Sequence, residues 1–131
     1  MKKLLLAIAL SVVSFSVMAA DDWVKRGTYG DITLYLNISS RHKIGHFVKM
    51  WELLDYKTTR DDGDGLLSRS AIARVEFDCE EKQFRAVSGT TYSENMREGK
   101  VVWSGTVHDD WESVIPGSAG ERNLEIACSE N

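Results

Sequence analysis

Apolar and polar residues alternate along most of this chain with a period of two, the pattern of half-buried β-strands. Ile32, Leu34, Leu36 and Ile38 alternate with Thr33, Tyr35 and Asn37, which predicts one such strand. Arg41, His42, Lys43 and Gly45 then read as a polar turn. From His46 to Tyr56 the apolar residues occupy both faces, with Val48, Met50, Leu54 and Tyr56 on one and Phe47, Trp51 and Leu53 on the other. A strand of this kind needs cover on both sides, from two layers of its own chain or from a second molecule. Thr58 to Gly65 is a polar, glycine-containing loop.

The clearest alternation follows. Ala71, Ala73, Val75, Phe77 and Cys79 interleave with Ile72, Arg74, Glu76 and Asp78, which places the Cys79 thiol on the apolar face. Glu80 to Lys82 reads as a turn, Phe84 to about Tyr92 as a strand, and Ser93 to Gly99 as a connection. Val101, Trp103 and Val107 begin a further strand, and Trp23 with Val24 a first one that breaks near Gly27.

After Pro116-Gly117 the period changes. Ser118 and Glu121 have the spacing of a capping box, and Leu124 and Cys128 share one face of the helix it opens. A helix of about ten residues is marginal alone in water and needs a tether. Cys79 and Cys128 are the chain's two cysteines. They lack the CxxC spacing and flanking histidines of a metal pair, so a disulfide is the reading in an exported chain. With both thiols on apolar faces, the helix packs on the Cys79 face of the sheet. The bridge closes a loop of about 50 residues, worth roughly 4 kcal/mol in a chain-entropy estimate.

Export is read from the N-terminus. Lys2 and Lys3 precede an apolar run from Leu4 to Met18 that is interrupted only by three serines, and Ala19, Ala20 and Asp21 follow. These are the parts of a secretory signal peptide cleaved after Ala19 or Ala20. The apolar run is shorter than the roughly 20 residues of a membrane span, so a retained anchor helix is the weaker alternative. The expected division is a leader over 1–20 and one domain over 21–131. No cysteine stands near the cleavage point for lipid attachment, and no later segment is apolar enough to cross a membrane as a helix. The expected location is the periplasm, or the outer surface if the protein is displayed.

The formal charge is −4, and it becomes −6 once Lys2 and Lys3 leave with the leader. Both signs are mixed along the chain, which excludes the basic face of a nucleic-acid binder. Arg41, His42 and Lys43 are the densest basic run and the candidate partner-binding residues, against the plainer reading of a solvated turn. Phe47 and Trp51 are candidate interface anchors because aromatic residues dominate binding hot spots. Tyr35 and Trp103 are weaker candidates, and all four are also plausible core residues.

The chemistry is thin. His42 and His46 are four apart but flank turn residues, so two exposed histidines fit better than a metal pair. Asp61, Asp62 and Asp64 miss the calcium-loop spacing, though a loose calcium site stays open. His108 beside Asp109-Asp110 reads as a solvated loop rather than an acid–base group. No nucleophile, P-loop or dinucleotide motif occurs, and the chain is expected to be neither an enzyme nor a cofactor protein. Asn37-Ile38-Ser39 is a glycosylation sequon, which means little if the host is a bacterium.

A set of short motifs resembles the surface-adhesin E family of Gram-negative bacteria. They are Trp23, Val48-Lys49-Met50-Trp51, Asp55-Tyr56-Lys57, Glu76-Phe77-Asp78-Cys79, Tyr92-Ser93, Met96, Gly99, Trp111, Ile115-Pro116 and Cys128. Asn37 departs from the pattern, standing where an aspartate is expected. The resemblance implies an α+β fold: one antiparallel sheet of about six strands with the C-terminal helix bridged to one face. It also implies a non-enzymatic adhesin that binds host extracellular-matrix proteins and forms a homodimer. The rival expectations are a periplasmic structural or protein-interaction module without host adhesion, and a small-ligand carrier.

Overall fold

In the computed structural model the described residues are 22–129. The expected leader over 1–20 lies outside them. Strands β1 (Trp23–Tyr29), β2 (Ile32–Ile44), β3 (Phe47–Asp61), β4 (Leu67–Asp78), β5 (Gln83–Tyr92) and β6 (Val101–Thr106) form an antiparallel meander in chain order. A two-residue strand, β7 (Glu112–Ser113), pairs with the start of β5, and one helix, α1 (Ala119–Cys128), ends the domain. No helix among the described residues is long and apolar enough to cross a membrane.

The core lies between α1 and the middle of the sheet. Leu36, Val48, Met50, Val75 and Phe77 point to the helix and are buried with its Leu124 and Ala127. These sheet residues belong to the alternating sets that the sequence placed on one face, so periodicity located the core directly. The disulfide joins Cys79 to Cys128 at a Cα–Cα separation of 5.6 Å, and both cysteines pack against the same cluster.

The helix begins as its capping residues dictate. Ser118 Oγ accepts the Glu121 N–H at 3.3 Å. The Glu121 carboxylate reaches back to the N–H of Gly117 at 3.2 Å, one residue before the cap. The first bond satisfies one of the donors that every helix N-terminus leaves open, and the second ties the chain just before the cap to the first turn.

β2 departs from its expected limits. It continues through Arg41-His42-Lys43 to Ile44, so the hairpin turn is confined to Gly45 and His46. A bulge makes this possible. Asn37 pairs with Trp51 and His42 with Lys49, so five steps on β2 oppose two on β3. Within the bulge the Ser40 hydroxyl accepts the Trp51 N–H at 2.9 Å, replacing a ladder carbonyl. A bulge bends its strand and re-aims its side chains. β3 likewise runs on to Asp61 through half of the expected loop.

The opposite face of β3 also receives cover from its own chain. The connection after β5, with its 3-10 turn at Asn95–Arg97, crosses that face. Asn95 Nδ2 donates to Asp55 Oδ1 and to the Tyr56 carbonyl, and the Arg97 N–H donates to Ser70 Oγ at 2.9 Å. Leu53 and Ser70 are buried. Gly99 makes the return possible: its φ is +77°, and a Cβ there would lie 2.2 Å from Ser93 Oγ.

Candidate functional site

The far end of this helix-free face, around Phe47 and Trp51, is built from aromatic rings and guanidinium groups. In-register partners share a face. Arg74 lies opposite Trp51, Glu76 opposite Lys49, and Arg85 opposite Glu76. The Arg74 guanidinium sits 5.4 Å from the Trp51 ring centroid. Arg85 lies 4.2 Å over Trp111 and binds Glu76 Oε1 through Nε and Nη2, at 3.0 and 2.8 Å. Trp111 in turn stacks on Phe47 at 5.9 Å between centroids, and the His46 ring lies 4.1 Å from Phe47.

The result is a continuous band, His46–Phe47–Trp111–Arg85–Glu76, with Trp51–Arg74 beside it. Phe47, Trp51 and Trp111 are half-buried and His46 is exposed. The Trp51 and Trp111 rings are each already held by a guanidinium, so little of their side-chain freedom is lost on contact with a partner.

The band rests on an ordered base. Asp78 Oδ1 accepts the N–H groups of Glu80 and Glu81 at 3.0 Å each, closing the turn between β4 and β5. The Glu81 hydrogen bond, followed by that from Glu80 and the His46 ring nearby, holds the Asp78 carboxyl below its usual pKa. His46 Nε2 lies 3.7 Å from Asp78 and its Nδ1 3.6 Å from Glu80.

The structure brings together Phe47 and Trp51, the two expected interface residues, on this face. It separates Arg41, His42 and Lys43. Arg41 turns to the helix, donating from Nε to the Ala127 carbonyl at 2.6 Å and from Nη2 to the Ser129 carbonyl. His42 pairs with Lys49 on the band side, while Lys43 pairs with Val48 on the helix side. His42 and Lys43 are exposed. Tyr35, paired with Leu53, lies on the helix-free face. Trp103 stays 42 % exposed on β6.

The acidic loop makes its own turn bonds. Gly63 N–H donates to Asp61 Oδ1 at 2.9 Å, and Ser68 Oγ to Asp62 Oδ2 at 3.4 Å. Among the described residues no group of three or more His, Cys, Asp or Glu is placed to hold a metal ion.

Sequence reasoning did not single out Trp111, Arg74 and Arg85 for this site. Arg74 and Arg85 lie on predicted strands but look like ordinary polar-face residues, and only cross-strand register puts them beside the rings.

A second feature, Glu52, was also missed. It follows Val48 and Met50 on the helix-facing side of β3 and accepts a hydrogen bond from Asn123 Nδ2 at 3.1 Å. Burial raises its pKa from 4.5 to about 7, against the opposing pull of that bond. The available signal was a lone acid in the period-two row of an apolar face.

A family model described as surface-adhesin protein E matches residues 23–129. Comparison with curated proteins finds no match. Among solved structures the fold is similar to that of Haemophilus influenzae protein E. In crystal form II of that protein the TM-score is 0.61 at 12% identity, covering 83% of this chain and 88% of that one. Protein E from non-typeable Haemophilus influenzae gives 0.61 at 12% identity, covering 86% and 78%. At this identity the likeness speaks for the fold alone.

Proposed function

Because this chain belongs to the surface-adhesin protein E family, we propose that it is an exported, non-enzymatic adhesin that binds host extracellular-matrix proteins. The observation that carries this reading is the aromatic–guanidinium band. Tyrosine, tryptophan and arginine dominate protein-binding hot spots, and here Trp51, Trp111, Arg74 and Arg85 meet on one sheet face with Phe47. The helix and its disulfide stiffen the other face, so the band is presented on a rigid support. Lys43, exposed beside the β2–β3 turn, adds positive charge at that end of the sheet for acidic stretches of a partner.

A homodimer fits the same reading. β6 is an outer strand with Val101 57 % and Trp103 42 % exposed. An apolar sheet edge of this kind is a template for pairing with a second copy.

Protease shaving of intact cells, run beside osmotic-shock release, tests the location, and immobilised matrix proteins test the binding. Loss of the protein from intact cells together with saturable matrix binding is the expected result. Full protection with release by osmotic shock overturns the adhesin reading and assigns the protein to periplasmic partners.

A further inference from the structure

The helix-side face holds a recess that the proposed adhesive face does not use. Beside the docked helix lie two hollows that share Glu52, Leu54 and Phe84. One, about 400 Å³, runs along Ala73, Val75 and Ala86 to a rim of Asp109, Asp110 and Glu112. The other, about 220 Å³, lies under the start of α1 against Ile32, Leu34 and Asn123. The larger hollow falls within the range of small-molecule sites, which combine apolar walls with a few placed polar groups.

The polar groups are of one sign. Glu52 lies half-buried where the hollows meet, held from one side by Asn123. Asn123 is itself buried, and its Oδ1 has no hydrogen-bond partner. Asp109, Asp110 and Glu112 bring three more carboxylates to the mouth. Arg85 is the one basic residue in the lining, and its guanidinium is committed to Glu76 and Trp111 on the other side of the sheet. A neutral apolar ligand would leave the Glu52 carboxylate uncompensated, and an anion would be repelled. A cation on an apolar body satisfies both the walls and the acid.

We propose that this recess binds a compact amphipathic amine, with its ammonium group on Glu52 and its aliphatic or aromatic body along Leu54, Ala73, Val75 and Phe84. Asn123 acts as a positioning residue: it fixes the carboxylate through one oxygen and leaves the other for the ligand. The acidic rim attracts the cation before it enters. The site lies across the sheet from the aromatic band, so it stands or falls independently of matrix binding.

The test compares hexylammonium with hexanol, which has the same body without the charge, by NMR titration of the full mature chain above pH 7. The expected result is saturable shifts at Glu52, Leu54, Ala73 and Phe84 with hexylammonium, and binding at least about tenfold weaker for hexanol, a difference of about 1.4 kcal/mol. Glu52→Gln keeps the shape and the Asn123 contact and is expected to remove that preference. Ala86→Leu, on β5 opposite Val75, fills the apolar hollow from two strands away from Glu52 and is expected to weaken both ligands. Equal affinity for the two ligands, an unchanged preference in Glu52→Gln, or no shifts at these residues at millimolar ligand would each overturn the proposal.

Discussion

Arg41 and Ala127 are joined by a hydrogen bond of 2.6 Å from the guanidinium Nε to the backbone carbonyl. A second bond runs from Nη2 to the Ser129 carbonyl. The last turn of α1 has no basic residue of its own, so β2 supplies the cation that its open carbonyls and negative dipole end favour. The Asn37–His42 bulge is what brings Arg41 there. The helix is therefore held by its apolar face, by the disulfide, by the Asn123–Glu52 hydrogen bond and by this cap.

Replacing Arg41 with methionine is expected to lower stability by about 1.5–3 kcal/mol, the range for hydrogen bonds to charged groups. Amide exchange should accelerate in the last turn of α1 and stay unchanged in β3 and β4. Urea unfolding with hydrogen exchange checks both. A binding defect in an Arg41 variant would then report a loosened helix, so a basic contact with a partner is better probed at His42 and Lys43.

Cys128→Ser is expected to cost about 2–5 kcal/mol, since the bridge spans 49 positions and ties a helix too short to persist alone. Thermal unfolding of both forms under oxidising conditions measures it. Equal melting temperatures would show that apolar packing and the Arg41 cap suffice.

Two carboxyls give stability opposite pH slopes. Glu52 has its folded pKa raised to about 7 by burial. Its contribution is complete below the unfolded value of about 4.5 and is lost as pH rises toward 7, by at most about 3 kcal/mol because the group is partly solvated. Asp78 has its folded pKa lowered, first by the Glu81 N–H and then by that of Glu80. Its contribution is present above the usual carboxylate range and is lost as pH falls through the lowered value. Denaturant unfolding at a series of pH values should show the Glu52 slope in the native chain and its disappearance in Glu52→Gln.

Trp111→Ala and Trp51→Ala are expected to weaken matrix-protein binding by about tenfold or more while leaving the core around Leu36 and Met50 intact. Surface-based binding assays on variants matched for melting temperature separate the two effects. Retained affinity in both variants would move the adhesive site off this face.

Val101→Lys places a charge on the outer β6 edge, a substitution that blocks strand-to-strand pairing. Sedimentation is expected to show a dimer for the native chain and a monomer for the variant, with no loss of stability because Val101 is exposed. A monomeric native chain would remove the dimer from the proposal.

The sequence by itself determined the main strands, the helix, the core and the bridge, because these are written in a local pattern. Alternation placed Val48, Met50, Val75 and Phe77 on one face, the capping pair Ser118 and Glu121 started the helix, and two thiols on apolar faces fixed where it docks. The same local reading made Arg41, His42 and Lys43 one patch in a turn. Only the tertiary structure divided them, because a bulge depends on how many residues face each other across two strands, which one strand's pattern does not encode. It also decided the aromatic–guanidinium band and the recess at Glu52. Trp111, Arg85 and Phe47 lie on different elements, as do Glu52 and Asn123. Contacts of that kind follow from cross-strand register and from where the helix lies on the sheet, both set by packing of the whole domain.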